Sequence, residues 1–172
     1  MPSFPWLIVA LTTMPCAPPS SDASQRGESD PLGSLTAGST SEGTAGPRAD
    51  VVAARATGES GDLTVFVTIR SDETGCDQYA DWWEVVTPEG ELVTRRVLAH
   101  SHPDDNPFER SEAGVDLSRT EPVVIRAHMA PGGYVGDALE GSFDSGFTPA
   151  ALPDGWFGEL QLQEPLPTDC LF

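Results

Sequence analysis

Strict alternation of apolar and polar residues over positions 62–70 marks the clearest strand of the chain. One face carries four aliphatic residues, namely Leu63, Val65, Val67 and Ile69. The other face carries Thr64, Phe66, Thr68 and Arg70. A period of two residues is that of a β-strand with one buried face. A similar alternation over Val123–Met129 predicts a second such strand, with Val123, Ile125, Ala127 and Met129 pointing inward and Arg126 and His128 outward.

Residues 75–102 predict a long β-hairpin around which the rest of the chain is arranged. Two stretches of β-type composition, Tyr79–Thr87 and Glu91–Ser101, flank the short connection Pro88-Glu89-Gly90. Glycine in such a connection supplies the positive φ that a tight turn needs. We therefore expect two paired strands here.

The remaining elements are short. We expect a strand over Asp50–Thr57, an edge segment at Phe108–Ser111, a helical turn within Tyr134–Leu139 and a last strand near Trp156–Gln163. The 17 glycines and 16 prolines favour frequent turns, and no window of ten residues keeps an apolar period of 3.6. The sequence predicts an all-β fold over residues 50–172, a two-sheet sandwich of immunoglobulin or fibronectin type with about seven strands. A small barrel or jelly roll is the alternative.

The first 49 residues differ in composition from this body. Residues 1–16 resemble a secretory signal, with the short apolar run Trp6–Leu11. Cys16 follows at the position that carries lipid in bacterial lipoproteins, although Pro15 stands where a small residue is usual. Secretion with simple cleavage nearby is the alternative. Residues 17–49 are rich in Ser, Gly, Ala, Thr and Pro, a composition that predicts a disordered tether.

Charge narrows the range of partners. The chain has 27 acidic and 9 basic residues, for a formal net charge of −18. Such a surface repels nucleic acid and anionic lipid headgroups, so we expect no nucleic-acid partner and membrane contact only through a lipid on Cys16. The plainest interpretation of the charge is a solvated acidic surface.

Two cysteines fall in the predicted body. In an exported chain Cys76 and Cys170 are expected to form a disulfide, which leaves Cys16 for lipid. The bridge would join the C-terminal tail to the entrance of the hairpin. The alternative role for Cys76 is that of a thiolate metal ligand.

The three histidines are candidate metal ligands. His100 and His102 have the spacing that places two imidazoles on one face of a strand, and His128 lies on the next predicted strand. Three neutral imidazoles can bind zinc or copper(II), with Asp104, Asp105 or Met129 as a fourth ligand. The alternative is that they are structural or exposed histidines without a metal, so that no cofactor is bound.

Adjacent tryptophans suggest a binding surface. On a strand Trp82 and Trp83 face opposite sides, so one is expected in the core and the other outside. The outer ring either packs under the loop 134–153 or offers a stacking platform for a sugar or peptide. The sequence contains no nucleophile elbow, P-loop, zinc-protease or dinucleotide motif, so nothing in it predicts an enzyme.

Several motifs together carry a family resemblance. They are G-C-D-x-Y-A-D-W-W-E-V, H-S-H-P, P-F-x-R-S, R-A-H-M and P-x-G-Y, spread over about Asp50–Trp156. On these motifs the chain resembles a group of uncharacterised bacterial lipoproteins. The resemblance implies an exported protein of the cell envelope and assigns no catalytic residue.

These observations favour an exported, non-enzymatic β-sandwich on a flexible tether. We expect it to be anchored through lipid or secreted, and to bind a protein or glycan of the bacterial cell envelope. The alternative function is a periplasmic or surface metal-binding protein that uses the three histidines.

Overall fold

The computed structural model describes residues 46–171, which form eight strands and one 3₁₀ helix. The strands are β1 (Ala49–Glu59), β2 (Asp62–Ser71), β3 (Tyr79–Val86), β4 (Leu92–Val97), β5 (Phe108–Val115), β6 (Val123–Ala130), β7 (Ala138–Ser142) and β8 (Gly146–Ala150). The 3₁₀ helix, Gly158–Leu162, follows β8. The predicted all-β, two-sheet sandwich is confirmed.

The strands are divided between a three-stranded and a five-stranded sheet. The first has the order β1-β2-β5 and the second β4-β3-β6-β7-β8. Every neighbouring pair is antiparallel. After the β3–β4 hairpin the chain returns to the first sheet, where β5 pairs with β2, and then crosses back to place β6 beside β3. This is the Greek-key connectivity expected of immunoglobulin- and fibronectin-like sandwiches.

The core lies between the two sheets and consists of the alternating faces that the sequence indicates. The four aliphatic side chains of β2 are fully buried, as are Val123, Ile125 and Met129 of β6. Trp83 contributes the largest of the buried side chains. Full burial of an aliphatic side chain stabilises a fold by roughly 1.5–3 kcal/mol, so these faces provide most of the driving force.

The central hairpin forms as predicted, but its second strand is shorter. The turn is closed by two hydrogen bonds, from Thr87 N to Glu91 O at 2.9 Å and from Gly90 N to Thr87 O at 3.0 Å. Gly90 has φ of 91°, which favours glycine at this position. Because β4 ends at Val97, His100 and His102 lie on the loop that follows rather than on a strand.

Predictions for the last third of the chain are partly wrong. Residues 138–150 form the hairpin β7–β8, where a helical turn and loop were expected. Glycines and a proline obscure the strand pattern there, and strand pairing overrides that local signal. β5 extends to Val115, well beyond the predicted edge segment. β1 begins at Ala49, one residue before the predicted strand, and Ala49 N donates to Val135 O at 2.8 Å.

The predicted strand near Trp156–Gln163 is absent, and the 3₁₀ helix lies there instead. We call residues 151–171, which follow β8, the C-terminal strap. The strap is attached to the sheet beneath it by side chains rather than by strand pairing. Several of its backbone carbonyls accept hydrogen bonds from arginine side chains of that sheet.

The signal-like segment 1–16, with Cys16, and residues 17–45 of the predicted tether lie outside the described residues. Within residues 46–171 no helix has the length and apolar character required to cross a membrane.

Candidate binding face beneath the C-terminal strap

Strand β3 is buried on both of its faces. All eight residues of Tyr79–Val86 are buried, although a strand in a two-sheet sandwich usually has one solvent-facing side. Trp83 and Val85 pack in the core between the sheets. The other face bears Trp82 and Glu84, and it is covered by residues of the C-terminal strap. The structure therefore has a third layer over its five-stranded sheet.

Glu84 is the centre of a buried charge cluster on this face. In the strand register it is paired with Arg95 of β4 on one side and Arg126 of β6 on the other. Arg95 Nε donates to Glu84 Oε2 at 2.8 Å, and Arg126 Nε donates to Oε1 at 2.8 Å. The side chains of Glu84 and Arg95 are 0 % exposed and that of Arg126 is 3 % exposed. Charges buried this deeply require paired and hydrogen-bonded partners.

The two arginines also attach the strap to the sheet. Arg95 donates to Leu160 O at 2.6 Å and to Pro165 O at 3.2 Å, and it also contacts Gln163 O. Arg126 reaches the backbone oxygen of Trp156 and, at 3.0 Å, that of Phe157. Hydrogen bonds from a charged donor are stronger than neutral ones. The cluster therefore fixes the path of the strap as well as its own geometry.

Tyr134, on the loop between β6 and β7, completes the cluster. The guanidinium of Arg126 lies 3.5 Å from the centre of its ring, and Arg95 Nη2 lies 3.4 Å from its hydroxyl oxygen. Burial, together with the negative charge of Glu84, raises the pKa of Tyr134 to about 12. The phenol therefore stays neutral at any physiological pH.

Next to this cluster, His128 is held in one orientation by three neighbours. Its Nδ1 lies 2.6 Å from Asp81 Oδ1. Its ring stacks on Trp82 at 3.7 Å with an interplanar angle of 11°, and the ring of Tyr134 meets it edge-on at 5.1 Å. In the neutral imidazole, donation from Nδ1 to the carboxylate leaves Nε2 as a hydrogen-bond acceptor.

Two clefts open beside the strap. The first, which we call the Trp156 cleft, has a volume of about 320 Å³ and lies between the Tyr134–Asp137 loop and residues 152–161 of the strap. The second, the His128 cleft, has a volume of about 350 Å³ and is a more open groove. It is lined by Asp81, Trp82, His128, Gln161, Leu162, Leu166 and Pro167. Gln161 borders both clefts, so they adjoin on either side of one strap residue.

The predicted disulfide is confirmed. Cys76 and Cys170 are joined with an S–S distance of 2.04 Å across 94 residues of sequence. The bridge fixes the end of the strap to the entrance of the β3–β4 hairpin. One residue further on, Leu171 N donates to Ala99 O at 2.6 Å. The strap is thus held at its far end as well as at its middle.

Only two of the three predicted metal ligands lie together. The ring centroids of His100 and His102 are 4.5 Å apart, whereas His128 is engaged with Asp81 and Trp82. Among residues 46–171 no group of three His, Cys, Asp or Glu side chains is arranged to hold a metal ion. The zinc or copper alternative stays a prediction.

His102 is instead a buried side chain with unsatisfied ring nitrogens. Its ring stacks on Phe108 at 4.0 Å, and neither nitrogen has a hydrogen-bond partner in the described part of the chain. Glu73 Oε2 lies 3.8 Å from Nδ1. Burial, and next the positive charge of Arg110, lower the pKa of His102. His100 is exposed.

The two tryptophans face opposite sides of β3, as predicted. Trp83 is in the core, and Trp82 is only 3 % exposed, with His128 stacked on it and the ring of Tyr134 edge-on at 6.3 Å. This arrangement resembles the predicted alternative in which the outer ring packs under a loop, and the stacking platform stays a prediction. Trp156, which is half-buried, lines the Trp156 cleft. The sequence interpretation assigned Trp156 to a strand and so missed it.

A sequence signal for the charge cluster did exist. Glu84 lies between two tryptophans and two valines in β3, and the hairpin turn places it opposite Arg95. A charged residue in the middle of a buried strand indicates oppositely charged neighbours on the flanking strands. No comparable signal marks Tyr134, which lies in a loop.

Comparisons with known proteins give one relative of limited extent. A protein of Halomicrobium mukohataei named "Putative lipoprotein" is 40 % identical over 97 residues, which cover 52 % of this chain and 48 % of that protein. The chain therefore spans about half the length of the curated relative that it matches. The host is an archaeon, so the resemblance is not confined to bacteria as the sequence motifs suggested. No family model matches the sequence. No solved structure matches it either.

Proposed function

We propose that this protein is an exported lipoprotein whose sandwich domain is a non-enzymatic binding module of the cell envelope. The observation that carries the export proposal is the Cys76–Cys170 bridge, because disulfides form and persist in oxidising compartments. The name of the archaeal relative supports the lipoprotein assignment. With two of three cysteines paired, Cys16 is the residue that we propose carries the lipid.

The anchor is tested by detergent phase partition of the full chain expressed in an archaeal or bacterial host that exports lipoproteins. We expect the wild type in the detergent phase and the Cys16→Ala variant in the aqueous phase. The double variant Cys76→Ser/Cys170→Ser is the matched control, and it should partition like the wild type. Equal partition of the wild type and Cys16→Ala would contradict the anchor.

Binding rather than catalysis is supported by how the buried charges are used. Both oxygens of Glu84 accept hydrogen bonds from arginine, so this carboxylate is engaged as a structural group. The clefts beside the strap combine aromatic and polar groups on a rigid support, which is the usual composition of a ligand site. We propose a glycan or a protein of the envelope as the ligand.

The location of binding is tested by filling the Trp156 cleft. Gly158 lines this cleft, and a side chain added to it meets no atom within 4 Å. On glycan and peptide arrays, Gly158→Trp should lose whatever saturable binding the full-length wild type shows. Gly46→Trp is the control, since Gly46 also has open space but does not line the cleft. Equal binding by Gly158→Trp and the wild type would place the ligand elsewhere.

A further inference from the structure

We propose that the Trp156 cleft binds a neutral carbohydrate, with a sugar ring packed against the Trp156 indole. This inference rests on the proposed binding role and names the ligand class. The volume of about 320 Å³ lies near the lower end of the roughly 300–1,000 Å³ range of small-molecule sites. It suits a monosaccharide or the end of a glycan better than a folded partner.

The aromatic wall of the cleft is positioned before any ligand arrives. The backbone oxygen of Trp156 is held by Arg126, and its ring lies 4.7 Å from that of Phe157 in an edge-to-face arrangement. Phe157 has φ of 41°, the one positive φ of a non-glycine residue in the part of the chain that the structure describes. Such conformations persist only where the surroundings impose them, and they concentrate at ligand sites. Arg126 donates a hydrogen bond to Phe157 O at 3.0 Å, which helps to hold this residue in place.

The polar groups of the cleft match the needs of sugar hydroxyls. Asp137 and Asp154 supply carboxylate acceptors, and the exposed side chain of Gln161 supplies both a donor and an acceptor. Asp154 forms no ion pair with any residue in 46–171, so its oxygens are open to a ligand, whereas Asp137 contacts Arg48 at 3.1 Å. An aromatic face beside carboxylate and amide groups offers one surface to the C–H side of a sugar and another to its hydroxyls.

Charge in and around the cleft disfavours an anionic ligand. An anion would meet Asp137 and Asp154 within a chain of net charge −18. The guanidinium of Arg126, which is paired with Glu84, already lies 3.5 Å from the ring centre of Tyr134 and 5.1 Å from that of Trp156, where a ligand cation would otherwise bind. An uncharged polyhydroxyl compound avoids the repulsion and does not need the position that Arg126 occupies.

The proposal is tested by following the indole N–H signals of the isotope-labelled full chain by NMR. The probes are glucose, galactose, mannose and N-acetylglucosamine, with glucuronic acid as the anionic analogue. We expect at least one neutral sugar to shift the Trp156 signal saturably, and the anionic analogue to bind roughly tenfold more weakly. Trp156→Phe identifies the signal by its loss.

Substitutions in the cleft define the contacts. Trp156→Ala should weaken sugar binding roughly tenfold, and Trp156→Phe should restore part of it because a smaller aromatic face remains. Asp154→Asn should weaken binding roughly fivefold. Asp104→Asn, the same change in an exposed turn outside the cleft, should have no effect. If Trp156→Ala fails to fold, Trp156→Phe and Asp154→Asn decide the question.

Three results would overturn the ligand class. They are no shift of the Trp156 signal with any neutral sugar, equal binding by Asp154→Asn and the wild type, and an anionic analogue that binds as tightly as its neutral parent. None of these results tests the membrane anchor, which is measured independently by detergent phase partition. If a peptide binds the wild type but not Gly158→Trp, the cleft is a binding site and the carbohydrate proposal is wrong.

Discussion

The outer faces of the two sheets carry the same kind of ion pair in opposite surroundings. On the three-stranded sheet Arg55 of β1 contacts Glu109 of β5 at 2.7 Å, with side chains 54 % and 41 % exposed. On the five-stranded sheet Arg95 contacts Glu84 at 2.5 Å, and both side chains are 0 % exposed. The strap makes this difference, because it covers one outer face and leaves the other in water. An ion pair becomes structurally critical through burial rather than through a short distance.

The largest effect is expected from removing the charge of Glu84. Glu84→Gln leaves Arg95 and Arg126 buried without their carboxylate, which should lower the free energy of unfolding by about 3–5 kcal/mol. Glu109→Gln removes the corresponding exposed carboxylate and should cost less than about 1 kcal/mol. Urea denaturation of both variants measures the difference. Equal losses would mean that the strap does not exclude water from Glu84.

The disulfide should have the next largest effect. Cys76→Ser/Cys170→Ser removes a cross-link across 94 residues of sequence, and the free energy of unfolding should fall by about 2–4 kcal/mol. The bridge restricts the unfolded chain and also holds the end of the strap. The measurement is urea denaturation of the variant beside the oxidised and reduced wild type. Unfolding curves that coincide for all three would show that the bridge does not cross-link the folded domain.

A smaller effect is expected where the hairpin turn meets the strap. Gly90 has φ of 91°, and a Cβ on it would lie 2.4 Å from the Phe157 ring. Gly90→Ala should therefore cost about 2 kcal/mol, from backbone strain and from displacement of the ring. Gly133 has φ of 84° with open space around a Cβ, so Gly133→Ala should cost about 1 kcal/mol, from strain alone. Thermal unfolding compares the two variants. Equal destabilisation would show that the contact with Phe157 contributes nothing to the cost of Gly90→Ala.

The smallest effect concerns the pH dependence of stability, through His102. Its pKa is lowered in the folded state, first by burial and then by Arg110, against the opposing charges of Glu73 and Asp105. Above the unfolded pKa of about 6.5 neither state is protonated at this residue. As the pH falls below that value the unfolded state binds the proton first. Stability therefore decreases as the pH falls from 6.5 towards the folded pKa.

The contribution of His102 is isolated by substitution. His102→Leu keeps an apolar contact with Phe108 and removes the titration, so its stability should depend less on pH below 6.5 than that of the wild type. His100→Leu changes an exposed neighbour and should retain most of the wild-type slope. Urea midpoints at several pH values between 5 and 8 provide the comparison. Parallel profiles for the wild type and His102→Leu would assign the pH dependence to other groups.

Much of the fold could be predicted because the patterning of its main strands is local. The alternation along β2 and β6 identifies their inward faces, and the turn around Gly90 pairs β3 with β4. Two cysteines in an exported body predict the bridge by elimination. Such signals need only neighbouring residues or a simple count.

The candidate site could be predicted far less well, because it depends on how distant segments meet. Arg126 looks like a solvent-facing strand residue until the strap, some 30 residues later, covers it. The same strap contributes to the burial of Trp82 and places Trp156 at a cleft, which the predicted strand near Trp156–Gln163 did not indicate. A segment fixed by side-chain hydrogen bonds to its carbonyls has no periodic pattern of its own, so it resembles a weak strand.

The strap is a fixed third layer over the five-stranded sheet, and hydrogen–deuterium exchange of the full chain tests this directly. With the disulfide intact, peptides from residues 156–171 should exchange well below the rate of an unstructured chain. After reduction they should exchange faster, while β2 keeps its protection as an internal reference. Exchange of the strap at the unstructured rate in the oxidised protein would show that the strap is not a fixed layer.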